Sequence, residues 1–100
     1  MTIFEAFRNV KSIHPDALAL IRLTDRYLLI GEDAQRTMHL LNIKPTTIDA
    51  DGTPLKQISF PHQDLDTAVM KLFEARFRVI CEDAETHSKE KRNNNNQPNN

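Results

Sequence analysis

The sequence predicts a small mixed α/β domain: one β-sheet flanked by about three helices. Two observations carry that expectation. Amphipathic stripes at helical spacing alternate along the chain with short apolar or β-branched runs, in the order α-β-β-α-β-β-α-β. Apolar residues then nearly vanish after Glu82, and the chain ends in Asn-Asn-Asn-Asn-Gln-Pro-Asn-Asn. The expected organisation is one domain over residues 1–82 and a polar, Asn-rich, disordered tail over 83–100, because such a tail cannot bury enough surface to offset its ordering entropy. About 82 residues suffice for one small core.

The elements follow in order. Thr2-Ile3-Phe4-Glu5 has the form of a capping box, and Ile3, Phe4, Phe7 and Val10 fall at helical spacing with Arg8 and Lys11 outward, which predicts a helix from about Ile3 to Ser12. Pro15 stops it, since a residue before proline resists the helical conformation. Ala17–Leu23 is nearly all apolar, as a strand covered on both faces would be. Arg26–Gly31 continues in extended form, with Thr24-Asp25 as either a bend or a tight turn. Glu32 and Asp33 favour a helix N-terminus through its dipole, and Ala34, Met38 and Leu41 mark the buried stripe of that second helix. Lys44–Asp49 holds β-branched Thr46, Thr47 and Ile48 and reads as a strand. Asp51-Gly52 is a hairpin signal. The return strand, Leu55–Phe60, puts Leu55, Gln57 and Ser59 on one face and Lys56, Ile58 and Phe60 on the other. Asp64 can cap a third helix with the apolar stripe Leu65, Ala68, Val69, Leu72 and Phe73. Phe77–Cys81 is the last strand.

Composition narrows function. The chain holds 13 Lys and Arg against 14 Asp and Glu, for a net charge of −1. Lys and Arg contacts to phosphate supply most non-specific DNA affinity, so this balance weighs against tight stand-alone DNA binding without excluding a local basic face. The lone Cys81 has no internal disulfide partner and reads as a buried small hydrophobe rather than a nucleophile. No signal peptide and no apolar stretch of membrane-spanning length is visible, which implies a soluble cytoplasmic protein.

Motifs for catalysis and cofactors are weak. His62 and Asp64 alone do not make a metal site and read as turn and cap residues. Asp49, Asp51 and Lys56 resemble a nuclease set only loosely, because hairpin chemistry explains both acids. There is no phosphate-binding glycine loop, nucleophile elbow or Cys/His dyad with recognisable spacing. A non-catalytic, ATP-independent protein without a cofactor, metal or small-molecule substrate is expected.

Two stretches are more specific. His14–Ala34 reads H-P-D-A-L-A-L-I-R-L-T-D-R-Y-L-L-I-G-E-D-A, and Phe60–Glu82 reads F-P-H-Q-D-L-D-T-A-V-M-K-L-F-E-A-R-F-R-V-I-C-E. The first resembles the Y-P-D-A-L-L-x-F-R-x-G-D-F-Y-E-L-F-x-E-D-A pattern of the N-terminal mismatch-recognition domain (domain I) of the MutS DNA-repair family. In the second, Pro61, His62, Leu65, Asp66, Thr67, Lys71, Leu72, Ala75, Arg78 and Val79 sit at the family's spacing, and Ile80-Cys81-Glu82 matches after a one-residue deletion. The resemblance implies the domain I fold. It also implies a DNA-facing position, where family members push the Phe of F-Y-E beside a mispair and touch the base with the Glu. Here those three places are Arg26, Tyr27 and Leu28. The family glycines before the Asp and before the last strand are Thr24 and Arg76.

Two functions are therefore weighed. One is a stand-alone domain that binds double-stranded DNA weakly and without mismatch preference. Its candidate contacts are Arg26, Tyr27, Arg8, Lys11, Arg22, Arg36 and Lys44, with Arg26 pairing with phosphate or guanine and Tyr27 stacking on an exposed base. The bland alternative makes Arg26 a solvated strand residue and Tyr27 half-buried. Arg is a poor intercalating wedge, and Leu28 cannot accept a hydrogen bond from a base, so mismatch reading by the family mechanism is not expected. The other function is a non-catalytic protein-interaction module on the same fold. An exposed apolar patch would favour it, and a contiguous basic face around Arg26 would favour DNA.

Overall fold

The computed structural model describes residues 1–84. Helix α1 (Ile3–Ile13) starts at Thr2, whose hydroxyl accepts the Glu5 N–H while the Glu5 carboxylate accepts the Thr2 N–H, so the predicted capping box forms. Strands β1 (Leu18–Leu23) and β2 (Arg26–Ile30) follow, then α2 (Glu32–Leu41), β3 (Thr46–Ala50) and β4 (Thr53–Pro61). A 3-10 turn (His62–Asp64), helix α3 (Leu65–Glu74) and β5 (Val79–Ala84) complete the chain. The element order matches the sequence expectation, with ends shifted by a few residues. Asp64 stands at the start of α3, but its side chain makes no capping bond; the preceding 3-10 turn leads directly into the helix.

The sheet order is β3-β4-β2-β1-β5, with β1 and β5 parallel and every other pair antiparallel. Side-chain alternation then divides the core in two. Leu18, Leu20, Tyr27, Leu29, Ile58 and Phe60 face α2 and α3, while Ala19, Ile21 and Leu28 face Ala6 and Val10 of α1. Both faces of β1 are thus covered, which is why Ala17–Leu23 reads as an apolar run. Strand β5 continues two residues past the expected Glu82 boundary, because Asp83 and Ala84 pair with Arg22 and Leu23, and Ala84 is buried on the α1 side. The rest of the expected tail lies outside the described residues.

Thr24-Asp25 is a two-residue hairpin turn, since Leu23 pairs with Arg26. Thr24 has φ 58° and Arg76 has φ 70°, both left-handed, at the two positions where the resembled family carries glycine. A β-branched residue pays sterically for that conformation. Thr24→Gly is therefore expected to raise stability by about 1 kcal/mol, the relief of strain exceeding the extra chain entropy of glycine. A higher urea midpoint is the expected readout, and a lower one would mean that Thr24 is not strained. At the β3-β4 hairpin, Asp51 (φ 53°) and Gly52 (φ 86°) are both left-handed, the φ signature of a type I′ turn.

Candidate nucleic-acid interface

The β1-β2 hairpin presents the site. Arg26 opens β2 beside the turn, paired in register with Pro61 at the end of β4. It is exposed, and its guanidinium donates to the Ser59 hydroxyl, Nη2 at 3.1 Å and Nε at 3.4 Å. Ser59 lies on the same sheet face because it is opposite Leu28, two residues along from Arg26. The hydroxyl steadies the arginine without neutralising it. The turn is itself anchored, since the His62 N–H donates to the Asp25 carbonyl at 2.9 Å.

The other two residues of the triplet point inward. Leu28 is 5 % exposed and packs beneath α1. Tyr27 is 6 % exposed, with its ring stacked on Phe60 at 5.8 Å between centroids. The expectation that Tyr27 could stack on a base is corrected: strand alternation sends its ring into the α2–α3 core, opposite to Arg26.

The remaining candidates do not converge. Lys11, expected to point outward, donates to the Asp33 carboxylate at 2.9 Å and to the Ala17 carbonyl, so it is engaged inside the fold rather than offered to phosphate. Arg22 is exposed near the same hairpin, with Nε 3.4 Å from the Thr24 carbonyl, but it faces the opposite side of the sheet from Arg26. Arg36 lies on α2 with its guanidinium 5.0 Å from the centre of the Phe77 ring. Arg8 is on the exposed side of α1 and Lys44 in the α2-β3 connection. Arg26 and Arg22 are the two that flank one hairpin turn, from β2 and β1 respectively.

Asp33 does more than the helix-dipole role its position predicts: it is 2 % exposed and also accepts the Ala19 N–H at 2.9 Å. The signal was available, for Asp33 sits on the stripe with Ala34, Thr37 and Leu41. Cys81 is a correction as well. It was expected to be buried but is exposed on β5, an edge strand. Partial desolvation of the thiol, followed by Asp83, pushes its pKa up, with Arg22 opposing, which disfavours the nucleophilic thiolate. Asp49 accepts the Gly52 N–H at 3.3 Å, a turn role. Among the described residues no three metal-ligating side chains cluster, and no helix is long and apolar enough to cross a membrane.

Comparison with known proteins gives a consistent picture. The family model described as MutS domain I matches residues 2–97. A protein from Christiangramia forsetii named DNA mismatch repair protein MutS is 36% identical over 84 residues, covering 83% of this chain. Proteins of the same name from Desulfitobacterium hafniense and Parabacteroides distasonis are 33% and 35% identical, each over 85 residues and 83% of this chain. The chain spans about 10% of the length of these relatives.

Proposed function

The chain belongs to the MutS domain I family, and on that premise we propose that it is a non-catalytic domain that associates weakly with double-stranded DNA, in the cytoplasm, without discriminating mispairs. The observation that carries this reading is the division of labour at Arg26–Leu28. The position matching the family wedge holds an exposed, hydroxyl-steadied cation, while the position matching the base-contacting acid is an apolar residue sealed under α1. A guanidinium suits phosphate oxygens or the edge of a narrow groove and does not suit insertion between stacked bases. Arg26 and Arg22 are the proposed principal contacts. Arg8, Arg36 and Lys44 are peripheral ones, and Lys11 and Tyr27 are set aside because the fold engages both.

So few dispersed cations imply affinity in the ordinary non-specific range, roughly 10⁻⁴ to 10⁻⁶ M, and a shallow salt dependence. Titration of a labelled duplex between about 50 and 200 mM salt tests this. Affinity should fall with salt, and Arg26→Ala should weaken binding and reduce the logarithmic salt slope by about one phosphate contact. Constant affinity across that range, or no effect of the substitution, would rule out the charge-based mode.

A second reading, a protein-interaction module, is favoured by a separate observation: Met70 and Phe73 on α3 are 62% and 76% exposed.

A further inference from the structure

Phe73 was expected on the buried stripe of α3, and the structure puts it in solvent. Thr67 and Lys71 line the cleft that α3 forms with the end of α2. At helical spacing Asp66, Met70 and Phe73 fall on the other flank. That flank borders β5, because α3 packs toward β5 while α2 packs on β2 and β4. Among the described residues β5 pairs with β1 alone, and none of them pairs with its outer edge. A helix flank that exposes Met70 and Phe73 beside Asp66 thus shares one border with a strand edge that no described residue pairs, the arrangement that strand addition uses.

We propose that this border is a self-association surface, on which β5 of a second copy pairs antiparallel with β5 and extends the sheet across the seam. The inference is independent of the DNA reading. A two-fold axis perpendicular to the sheet keeps each side chain on its own face, so the paired residue numbers must share parity. Centring the pair on Ile80 sets Arg78 opposite Glu82 of the second copy, twice, and sets Val79 opposite Cys81 on the α3 side, where Met70 and Phe73 border the strand. Centring on Cys81 instead sets Ile80 against Glu82 and Val79 against Asp83, and centring on Glu82 opposes like charges. Charge complementarity between Arg78, the residue just before β5, and Glu82 therefore favours a second copy in this register. The net charge of −1 adds little repulsion between copies.

Sedimentation equilibrium of the full chain tests the proposal. The mass should climb from 11.5 kDa toward twice that value with concentration. Phe73→Asp, a change at an exposed position, should leave the circular dichroism unchanged and weaken association at least about tenfold. Arg78→Glu and Glu82→Arg should each weaken it, and the two together should restore it. Val79→Cys should give a covalent dimer on mild oxidation, because it would face Cys81 directly. The native chain should not, since its two Cys81 residues sit diagonally, at roughly 7–8 Å. A mass fixed at 11.5 kDa up to roughly 500 μM would overturn the proposal. So would a dimer that ignores Phe73→Asp, Val79→Cys and the charge swap, since it would form through another surface.

Discussion

Asp33→Ala is expected to remove about 3 kcal/mol of stability, a large share of what a domain of this size possesses. The carboxylate is 2% exposed and joins three elements: Lys11 of α1 at 2.9 Å, the Ala19 N–H of β1 at 2.9 Å, and α2, which carries it. Its removal leaves the Ala19 N–H without that acceptor and the Lys11 ammonium without its counter-charge, and each loss carries a desolvation cost. Lys11→Met should also destabilise, because Asp33 would stay buried with one partner fewer. The double variant Lys11→Met/Asp33→Leu should not return to the starting stability, since no side chain then accepts from Ala19. Urea unfolding of the four proteins separates these contributions. A loss below about 1 kcal/mol for Asp33→Ala would mean that water reaches the pair and that it resembles a surface ion pair.

The second large effect concerns the triplet at the head of β2. Leu28→Glu, which restores the resembled family's residue, is expected to cost about 3 kcal/mol or more at neutral pH, because a carboxylate would replace a leucine packed with Ala19 and Ile21 under α1. Burial would raise the folded-state pKa of the new carboxyl. The protein should therefore be least impaired below the unfolded value and increasingly impaired as pH rises through the folded one. Arg26→Phe, at an exposed position, should change stability by no more than about 0.5 kcal/mol. One half of the family pair can be put back and the other cannot. Denaturation of both variants at about pH 5 and pH 8 decides the point, and a Leu28→Glu protein as stable as the original would show that Leu28 is not sealed.

This asymmetry also shows how much the sequence could say. The element order was legible because period-two and helical patterns alternate cleanly and because Thr2, Pro15 and Asp51-Gly52 punctuate them. The two residues at family glycines, Thr24 and Arg76, could be located from the resemblance, and both carry left-handed backbone. Packing direction was not legible. Phe73 fits the apolar stripe of α3 by spacing, but the described sheet ends at β5, so no described residue lies over that flank. Cys81 sits in an apolar run yet is exposed for the same reason: an edge strand covered incompletely. Of the candidate contacts, Tyr27 could be placed only once the strand phase was known. Lys11 could be placed only once α1 was seen to bring it to Asp33, a contact between residues 22 apart.

On the proposed reading, this domain keeps a DNA-facing hairpin and has lost the mispair-reading pair. The most direct test is fluorescence anisotropy at low salt with two duplexes that differ by one mismatch, for the native chain and for Arg26→Ala. Equal affinity for both duplexes, within about twofold, and weaker binding of both by Arg26→Ala are expected. A tenfold preference for the mismatched duplex would contradict it, because discrimination would then survive without an apolar wedge or an acid to touch the base.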